Sequence, residues 1–183
     1  GGAGVMMTDR AVELGLNVPK PCRKVMSAIN EIIPSFGSAN NPIDVTAQFL
    51  MNPEVLRDSI IRLFDDPDIH IGVVWLQLMH DHVDLLTKIF KQTKFRVKKP
   101  FLVAWVGASE ETIQKMRAIG VCCLRGGDPA IDAAAALVQF SEAKCRYTVP
   151  FTKNRGRKIT SVSLMGHSGI VSSNDAGDLL IKA

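Results

Sequence analysis

The sequence predicts an α/β protein of the flavodoxin-like class: a three-layer αβα sandwich on a parallel sheet, followed by a C-terminal linker and tail. Three observations predict this class. Nearly continuous apolar stretches at 69–78 and 100–106 are typical of strands buried on both faces of a parallel sheet. Segments with helical periodicity alternate with strand-like segments from residue 1 to 145. The short connections between them favour right-handed crossovers and helices on both faces.

The elements follow in a regular order, and local signals mark their ends. Gly15 and Gly120 are suited to ending helices, Asn52 and Ser109 to capping the start of helices, and Pro53 to the first helical turn. The predicted helices cover 5–14, 21–33, 52–64, 83–90, 109–119 and 128–145. Strands are predicted at 16–18, 69–78, 100–106 and 121–124, and a strand-and-turn segment at 41–46. A glycine-rich turn such as 1–4 normally follows a strand, so we expect a fifth, first strand to be missing or supplied elsewhere.

The domain organisation predicted from these patterns has two parts. Residues 1–147 form the flavodoxin-like domain, and 148–183 form a linker and the start of a following domain, because the polar, basic stretch 153–158 interrupts the alternation. We expect the missing strand to belong to a longer protein.

Composition narrows the class of function. The 183 residues carry a formal net charge of +4, and the basic residues cluster at Lys88–Lys99 and Lys144–Lys158. Neither cluster interleaves aromatic residues with Lys and Arg in a nucleic-acid-binding pattern. These clusters are typical of solvated surface, so we expect no nucleic-acid partner, and no apolar run is long enough to span a membrane. Cys22, Cys122, Cys123 and Cys145 lack zinc-ligand spacing. They indicate buried or incidental thiols in a reducing cytoplasm, with no metal site.

The first five residues form the main candidate site. Gly1, Gly2, Ala3, Gly4 and Val5 lead into a helical pattern in which Val5 and Val12 can share one side. The first N–H groups of a helix lack internal partners and favour an anion, and glycine lets a ligand approach closely. The stretch therefore predicts a phosphate or carboxylate site. A tight strand-to-helix turn without any ligand is the alternative.

Three stretches together resemble the NDP-forming acyl-CoA synthetase family. Gly1–Val5 resembles the Gly-Gly-x-Gly-Val turn of that family. Asn41-Pro42-Ile43-Asp44-Val45 is similar to its Asn-Pro-hydrophobic-Asp-hydrophobic signature, and the 99–105 strand is also similar. The resemblance extends from Gly1 to about Tyr147. It implies the second succinyl-CoA-ligase-like flavodoxin domain of these ADP-forming, multidomain enzymes.

The resemblance implies a ligase in the full-length protein. Such an enzyme interconverts acyl-CoA, ADP and phosphate with the free acid, CoA and ATP, through a phosphohistidine on a mobile loop. CoA, ATP or ADP, and Mg would be its cofactors, with none expected on this domain alone. The CoA-binding, phosphohistidine and ATP-grasp domains would be its partners, and a homo-oligomer is possible. A non-catalytic scaffold or regulatory module, as in an acetyltransferase fusion, and a flavin or nucleotide binder are the alternatives.

Asp44 is the candidate catalytic side chain, with Asn41 and Pro42 supporting its loop. A carboxylate at a strand end can position the loop histidine or accept its proton. The alternative is that Asn41 and Asp44 brace the loop through Asx-type hydrogen bonds. Both interpretations remain open from the sequence.

The histidines are weaker candidates. Gly166-His167-Ser168-Gly169 superficially resembles the phosphohistidine context, but His167 lies in the tail, where a polar turn is the simpler interpretation. His80-Asp81-His82 has the spacing of a metal pair in a strand, but a surface loop with Asp81 as a helix cap is favoured. We expect His70 to be an interior histidine of a buried strand.

Overall fold

Three parallel strands form the sheet of the computed structural model, which describes residues 2–147, with side chains through residue 145. The strands are β1 (Gly72–Gln77), β2 (Phe101–Val106) and β3 (Cys122–Leu124), in the order β1-β2-β3. Gly72 lies opposite Phe101, and Leu102 lies opposite Cys122. All three strands occupy positions predicted from their apolar runs.

Six helices connect and flank these strands. They are α1 (Gly2–Glu13), α2 (Arg23–Asn30), α3 (Pro53–Phe64), α4 (Val83–Arg96), α5 (Glu110–Ala118) and α6 (Gly127–Tyr147). Short 3₁₀ turns occur at Ala47–Leu50 and His80–His82. None of the helices within residues 2–147 combines the length and apolarity needed to cross a bilayer.

The sheet has helices on both faces, as predicted. Phe101, Val103 and Trp105 of β2 belong to the main core cluster, together with residues of α2, α3, α4 and α5. Because side chains alternate along a strand, Leu102 and Ala104 face the other way, and both are also buried. On that second face the start of α6 reaches β1, where a Cβ on Gly127 would lie 3.3 Å from Cζ3 of Trp75.

Two glycines end their helices as the sequence predicts. Gly15 has φ +77° and Gly120 has φ +72°. The Gly15 N–H donates to Val12 O and the Leu16 N–H to Ala11 O, which is the Schellman pattern. The same two bonds recur after α5. At the start of α5, the Ser109 hydroxyl accepts a hydrogen bond from the Thr112 N–H, so the predicted cap is confirmed.

Several local predictions are wrong. Residues 16–18 form no strand, because the cap of α1 uses the Leu16 N–H. The described sheet therefore has three strands. In the 41–46 segment only one isolated bridge forms, between Ser38 and Asp44. Helix α2 is shorter than predicted and α4 is longer. Asn52 holds the N-cap position of α3, but its side chain makes no capping bond.

A buried carboxylate ties α2 to the turn before β1. Asp66 is 2% exposed, and its carboxylate accepts hydrogen bonds from the Cys22 N–H at 2.7 Å and the Asp68 N–H at 3.0 Å. These bonds lower the pKa of Asp66 below its ordinary value. The Lys99 ammonium donates to the Asp66 carbonyl at 2.6 Å. Because Asp66 and Lys99 precede β1 and β2, this cluster lies at the amino end of the sheet.

Candidate functional site

The candidate site begins at the first turn of α1. Gly2, Ala3, Gly4 and Val5 are themselves helical, so these glycines form the first turn of the helix, not a loop before it. The first turn contains no acidic residue of its own. A Cβ on Gly2 would have nothing within 4 Å. The described part of this turn therefore presents backbone N–H donors on small residues at the positive end of a helix dipole.

The loop that carries Asp44 meets this turn. A Cβ on Gly4 would lie 3.1 Å from both Cβ and Cγ of Pro42, so the proline ring rests against the glycine. The Asn41–Pro42 peptide bond is cis. The structure therefore brings together the two segments that the sequence singles out separately.

Hydrogen bonds hold the loop in shape. The Asn41 side-chain amide donates to Pro19 O at 3.1 Å, and Asp44 Oδ1 accepts from the Thr46 N–H at 2.9 Å. Asp44 also exchanges two backbone hydrogen bonds with Ser38, at 2.8 and 3.0 Å. Thr46 has φ 58°, in the left-handed region that a β-branched residue rarely adopts. These contacts support the bracing interpretation of Asn41 and Asp44.

Helix α1 is anchored on the start of α6. A Cβ on Gly127 would lie 2.9 Å from Cγ of Met7, and the Arg10 guanidinium donates to Asp132 Oδ1 at 2.9 and 3.1 Å. The two contacts advance together along both helices, so α1 and α6 run roughly parallel. Since α6 starts where β3 ends, α1 starts near the carboxyl end of the sheet. At 1.5 Å per residue, its first turn extends about 7 Å beyond the start of α6.

Comparison with known protein families identifies the family of this chain. A sequence model of the Ligase-CoA domain matches residues 1–123, which include the first turn of α1 and the Asn41–Asp44 loop. The chain belongs to the Ligase-CoA domain family. This agrees with the resemblance carried by the three sequence stretches.

The relatives of this Ligase-CoA domain are longer proteins. This chain is 31% identical over 154 residues to "Acetate--CoA ligase [ADP-forming] I subunit alpha" of Pyrococcus furiosus, and the match covers 80% of this chain and 32% of that subunit. The solved apo structure of "Ca. Korarchaeum cryptofilum dinucleotide forming Acetyl-coenzyme A synthetase 1" superposes with a TM-score of 0.64 at 23% identity, covering 79% of this chain and 32% of that one. The same protein in complex with phosphate and ADP gives a TM-score of 0.63. These likenesses show the fold, and the chain spans about a third of these relatives' length.

The start of α5 in this Ligase-CoA domain differs from that of α1. The Ser109 hydroxyl already occupies one α5 amide, and Glu110 and Glu111 place negative charge in the first turn. Arg125 donates to Ala108 O at 2.9 Å and to Glu110 at 2.9 Å, and this pairing lowers the pKa of Glu110. Helix α5 is thus occupied by its own side chains, whereas the first turn of α1 contains no acidic residue of its own.

The histidine predictions have mixed outcomes. His70 is exposed and lies before β1, because the strand begins at Gly72, so its assignment to the interior is wrong. His80 and His82 lie in a 3₁₀ turn, which removes the strand geometry needed for a metal pair. Within residues 2–147 no group of three or more His, Cys, Asp or Glu side chains could hold a metal ion. His167 and Gly1 lie outside the described residues.

The sequence missed the contacts that join these segments. Arg10 and Asp132 pair across a long sequence separation, and both are partly exposed. Nothing in the periodicity of either helix distinguishes them from ordinary surface charges. The sequence patterns also gave no role to Gly127. The signal that could have drawn attention to it is a second glycine directly after Gly126 at the start of a helix.

Proposed function

We propose that this Ligase-CoA domain works within a larger ADP-forming acyl-CoA ligase. In that enzyme, the backbone N–H groups in the first turn of α1 bind the phosphoryl oxygens of a phosphohistidine that another domain carries. The whole protein would interconvert acyl-CoA, ADP and phosphate with acid, CoA and ATP. The names of the relatives make acetate the first acid to assay. The observation that carries the proposal is the glycine-rich first turn of α1, which contains no acidic residue of its own and packs against Pro42 of the Asn41–Asp44 loop.

The physical basis for phosphoryl binding is that several backbone N–H donors without a helical partner lie together on small residues. The first four N–H groups of a helix have no carbonyl partner within the helix, and the helix dipole adds about 0.3–1 kcal/mol for an adjacent anion at an exposed site. Hydrogen bonds from backbone N–H groups to an ionised phosphoryl oxygen are stronger than neutral ones. Gly2 and Gly4 leave this approach unobstructed by side chains.

The role of the Asn41–Asp44 loop is to fix the surroundings of that turn. Pro42 packs on Gly4, and Asn41 fastens the loop to Pro19. Asp44 would position the incoming histidine or accept its proton. The brace that Asp44 makes with Thr46 supports a positioning role first.

CoA, the nucleotide and Mg would bind to the complete enzyme, on domains outside this chain. CoA and nucleotide supply the thiol and the phosphoryl acceptor, whereas this domain supplies fixed N–H donors. We expect the 183-residue chain alone to show no turnover. The domain boundary at residue 147 and the cytoplasmic location remain predictions of the same proposal.

The test places a charge at the first turn without changing the fold. We expect Gly2→Glu in the full-length protein to lower acyl-CoA-dependent ATP formation at least roughly tenfold, because the carboxylate repels the phosphoryl group. A carboxylate at a helix start stabilises the helix by about 0.3–1 kcal/mol, so the melting temperature should not fall. Gly2→Gln is the matched neutral control, since a side chain at this position enters open space.

The two readouts separate function from folding. The proposal is supported if Gly2→Gln retains acyl-CoA-dependent ATP formation and Gly2→Glu loses it, while both variants are at least as stable as the parent. Equal activity of the two variants would refute the role of α1. An absence of acyl-CoA-dependent ATP formation in the unmodified full-length protein would refute the ligase assignment itself.

A further inference from the structure

The solvent-facing side of α4 carries an aromatic residue among cations. The buried residues of this helix are Leu86, Ile89, Phe90 and Thr93. At about 100° per residue, Phe95 lies nearly opposite them, and Lys88 and Lys91 lie within about 40° of Phe95. Phe95 is 81% exposed, more than Phe36 or Phe140. Together with two exposed cations that follow, these residues form the Phe95 patch: Lys88, Lys91, Phe95, Arg96 and Lys98.

The cations of the Phe95 patch have no ion pair or hydrogen bond among the described residues. The acidic residue of α4, Asp84, lies about 16 Å along the helix from Phe95 and pairs with Lys115 at 3.1 Å. Lys94, on the flank of α4, donates to Gly120 O. The patch therefore presents positive side chains around an exposed ring, and it contains no carboxylate of its own.

Helix geometry explains only part of this composition. Cations in the last turn of a helix interact favourably with its dipole, which accounts for Lys94 and Arg96. Lys88 and Lys91 lie before that turn, and the dipole gives no reason for an aromatic residue at Phe95. Removing an exposed ring from water is favourable, and aromatic residues and Arg are enriched at the centres of protein interfaces.

The Phe95 patch lies far from the candidate site along the strands. Helix α4 ends just before β2 begins, whereas the first turn of α1 lies near the carboxyl end of the sheet. A protein bound to the patch therefore leaves that turn accessible. The matched segment is 32% of the Pyrococcus furiosus subunit, so about two thirds of such a protein lies outside this domain and is large enough to cover its surface.

We propose that the Phe95 patch docks an acidic surface of another domain of the larger ligase. Carboxylates of that surface pair with the cations of the patch, and an apolar pocket receives the Phe95 ring. The match of charges directs the encounter, and the buried ring holds the two surfaces together. The inference rests on the proposed function for the existence of the larger protein, and it involves no residue of the first turn of α1.

Carbodiimide cross-linking of the full-length protein tests the docking, because this reagent joins an ammonium group to a carboxylate in direct contact. We expect mass spectrometry to find Lys88, Lys91 or Lys98 joined to Asp or Glu residues outside residues 1–183. The double variant Lys88→Gln, Lys91→Gln should lower the yield of these cross-links severalfold. The matched control Lys20→Gln, Lys24→Gln removes two other exposed cations and should leave the yield unchanged. Absence of any such cross-link would overturn the proposal.

Hydroxyl-radical footprinting measures the aromatic part of the contact. The Phe95 ring should be oxidised severalfold more slowly in the full-length protein than in the 183-residue chain, and equal rates would contradict its burial. Phe95→Asp should lower the cross-link yield more than Phe95→Leu, because only the aspartate removes the apolar group and adds a repelling charge. Both variants should leave the melting temperature of the 183-residue chain unchanged, since the side chain is exposed there.

Other occupants give distinguishable results, and each would overturn the proposal. Cross-links from the patch to a second copy of this domain would indicate self-association. Binding of the 183-residue chain to double-stranded DNA or to phosphatidylserine vesicles, lost in the Lys88→Gln, Lys91→Gln variant, would indicate a nucleic-acid or membrane surface. Acyl-CoA-dependent ATP formation without the cross-links would refute the docking alone. Cross-links without ATP formation would refute the proposed function alone and support the docking.

Discussion

Gly37 controls the position of Asp44 through a close backbone approach. A Cβ on Gly37 would lie 2.7 Å from Asp44 O and 3.1 Å from Pro34 O. Both neighbours are backbone atoms, so neither can rotate away. Ordinary contacts between such atoms need a separation larger by about 0.5 Å, so Gly37→Ala must displace the Asp44 carbonyl.

The cost of Gly37→Ala follows from the bonds that this displacement breaks. Ser38 and Asp44 exchange hydrogen bonds of 3.0 and 2.8 Å, each with a net value of about 0.5–1.5 kcal/mol. Replacing glycine by alanine regains about 0.4–1 kcal/mol by restricting the unfolded chain. We therefore expect a net loss of about 1–2 kcal/mol in the free energy of unfolding, and a melting temperature lower by about 3–6 °C.

Urea unfolding monitored by circular dichroism measures this loss, and Gly2→Ala is the matched control. A Cβ on Gly2 has nothing within 4 Å, so this variant should be neutral or slightly stabilised. Exchange of the Asp44 amide should accelerate in Gly37→Ala and not in Gly2→Ala. If Gly37→Ala is as stable as the parent and its Asp44 amide remains protected, the reasoning that links Gly37 to the loop is wrong.

Three further predictions concern other parts of the fold. Gly127→Ala should destabilise the protein by about 1–2 kcal/mol, because the new methyl group meets Met7. Adding Met7→Ala should relieve this clash. Purely additive effects on the free energy of unfolding in a double-mutant cycle would contradict the contact. Asp66 has a lowered pKa, so its contribution is complete above the unfolded value of about 3.9 and is lost as pH falls through the folded value. Asp66→Asn should therefore lower the free energy of unfolding by about 1–3 kcal/mol at pH 7, and the fall of this free energy at acid pH, measured by urea unfolding, should become shallower. An unchanged fall at acid pH would exclude Asp66 as its cause. Burial raises the pKa of Cys123 to about 11, so iodoacetamide at pH 8 should label exposed Cys122 first and Cys123 only after unfolding, as read by mass spectrometry; equal labelling rates would contradict this burial.

Elements with strong local signals are predictable from the sequence. The apolar runs of β1 and β2, the cap at Ser109 and the helix-ending glycines each combine a pattern with a residue whose chemistry requires that position. The segment 16–18 has the apolar pattern of a strand, but a strand also needs a neighbour. Leu16 uses its N–H in the cap of α1, and no local pattern records that competition.

The two segments of the candidate site were predictable from the sequence, but the contact between them was not. The glycines of α1 and the Asn41–Asp44 segment stand out because each combines residue types suited to turns and anions. Their contact at Gly4 and Pro42 depends on long-range packing, which has no periodicity to reveal it. The interior position predicted for His70 is wrong for a simpler reason: the strand begins two residues later than predicted, at Gly72, so His70 lies before it and is exposed.

The two tryptophans of the chain occupy contrasting environments. Trp105 is completely buried, whereas Trp75 is half-buried where α6 meets the sheet. Its indole sits beside Gly127, and Met7 lies against the same glycine. The chain therefore carries an intrinsic fluorophore at the junction of α1 and an internal reference in its interior. Quenching by iodide would register the Trp75 component selectively, so any rearrangement that lifts α1 would be visible without a label.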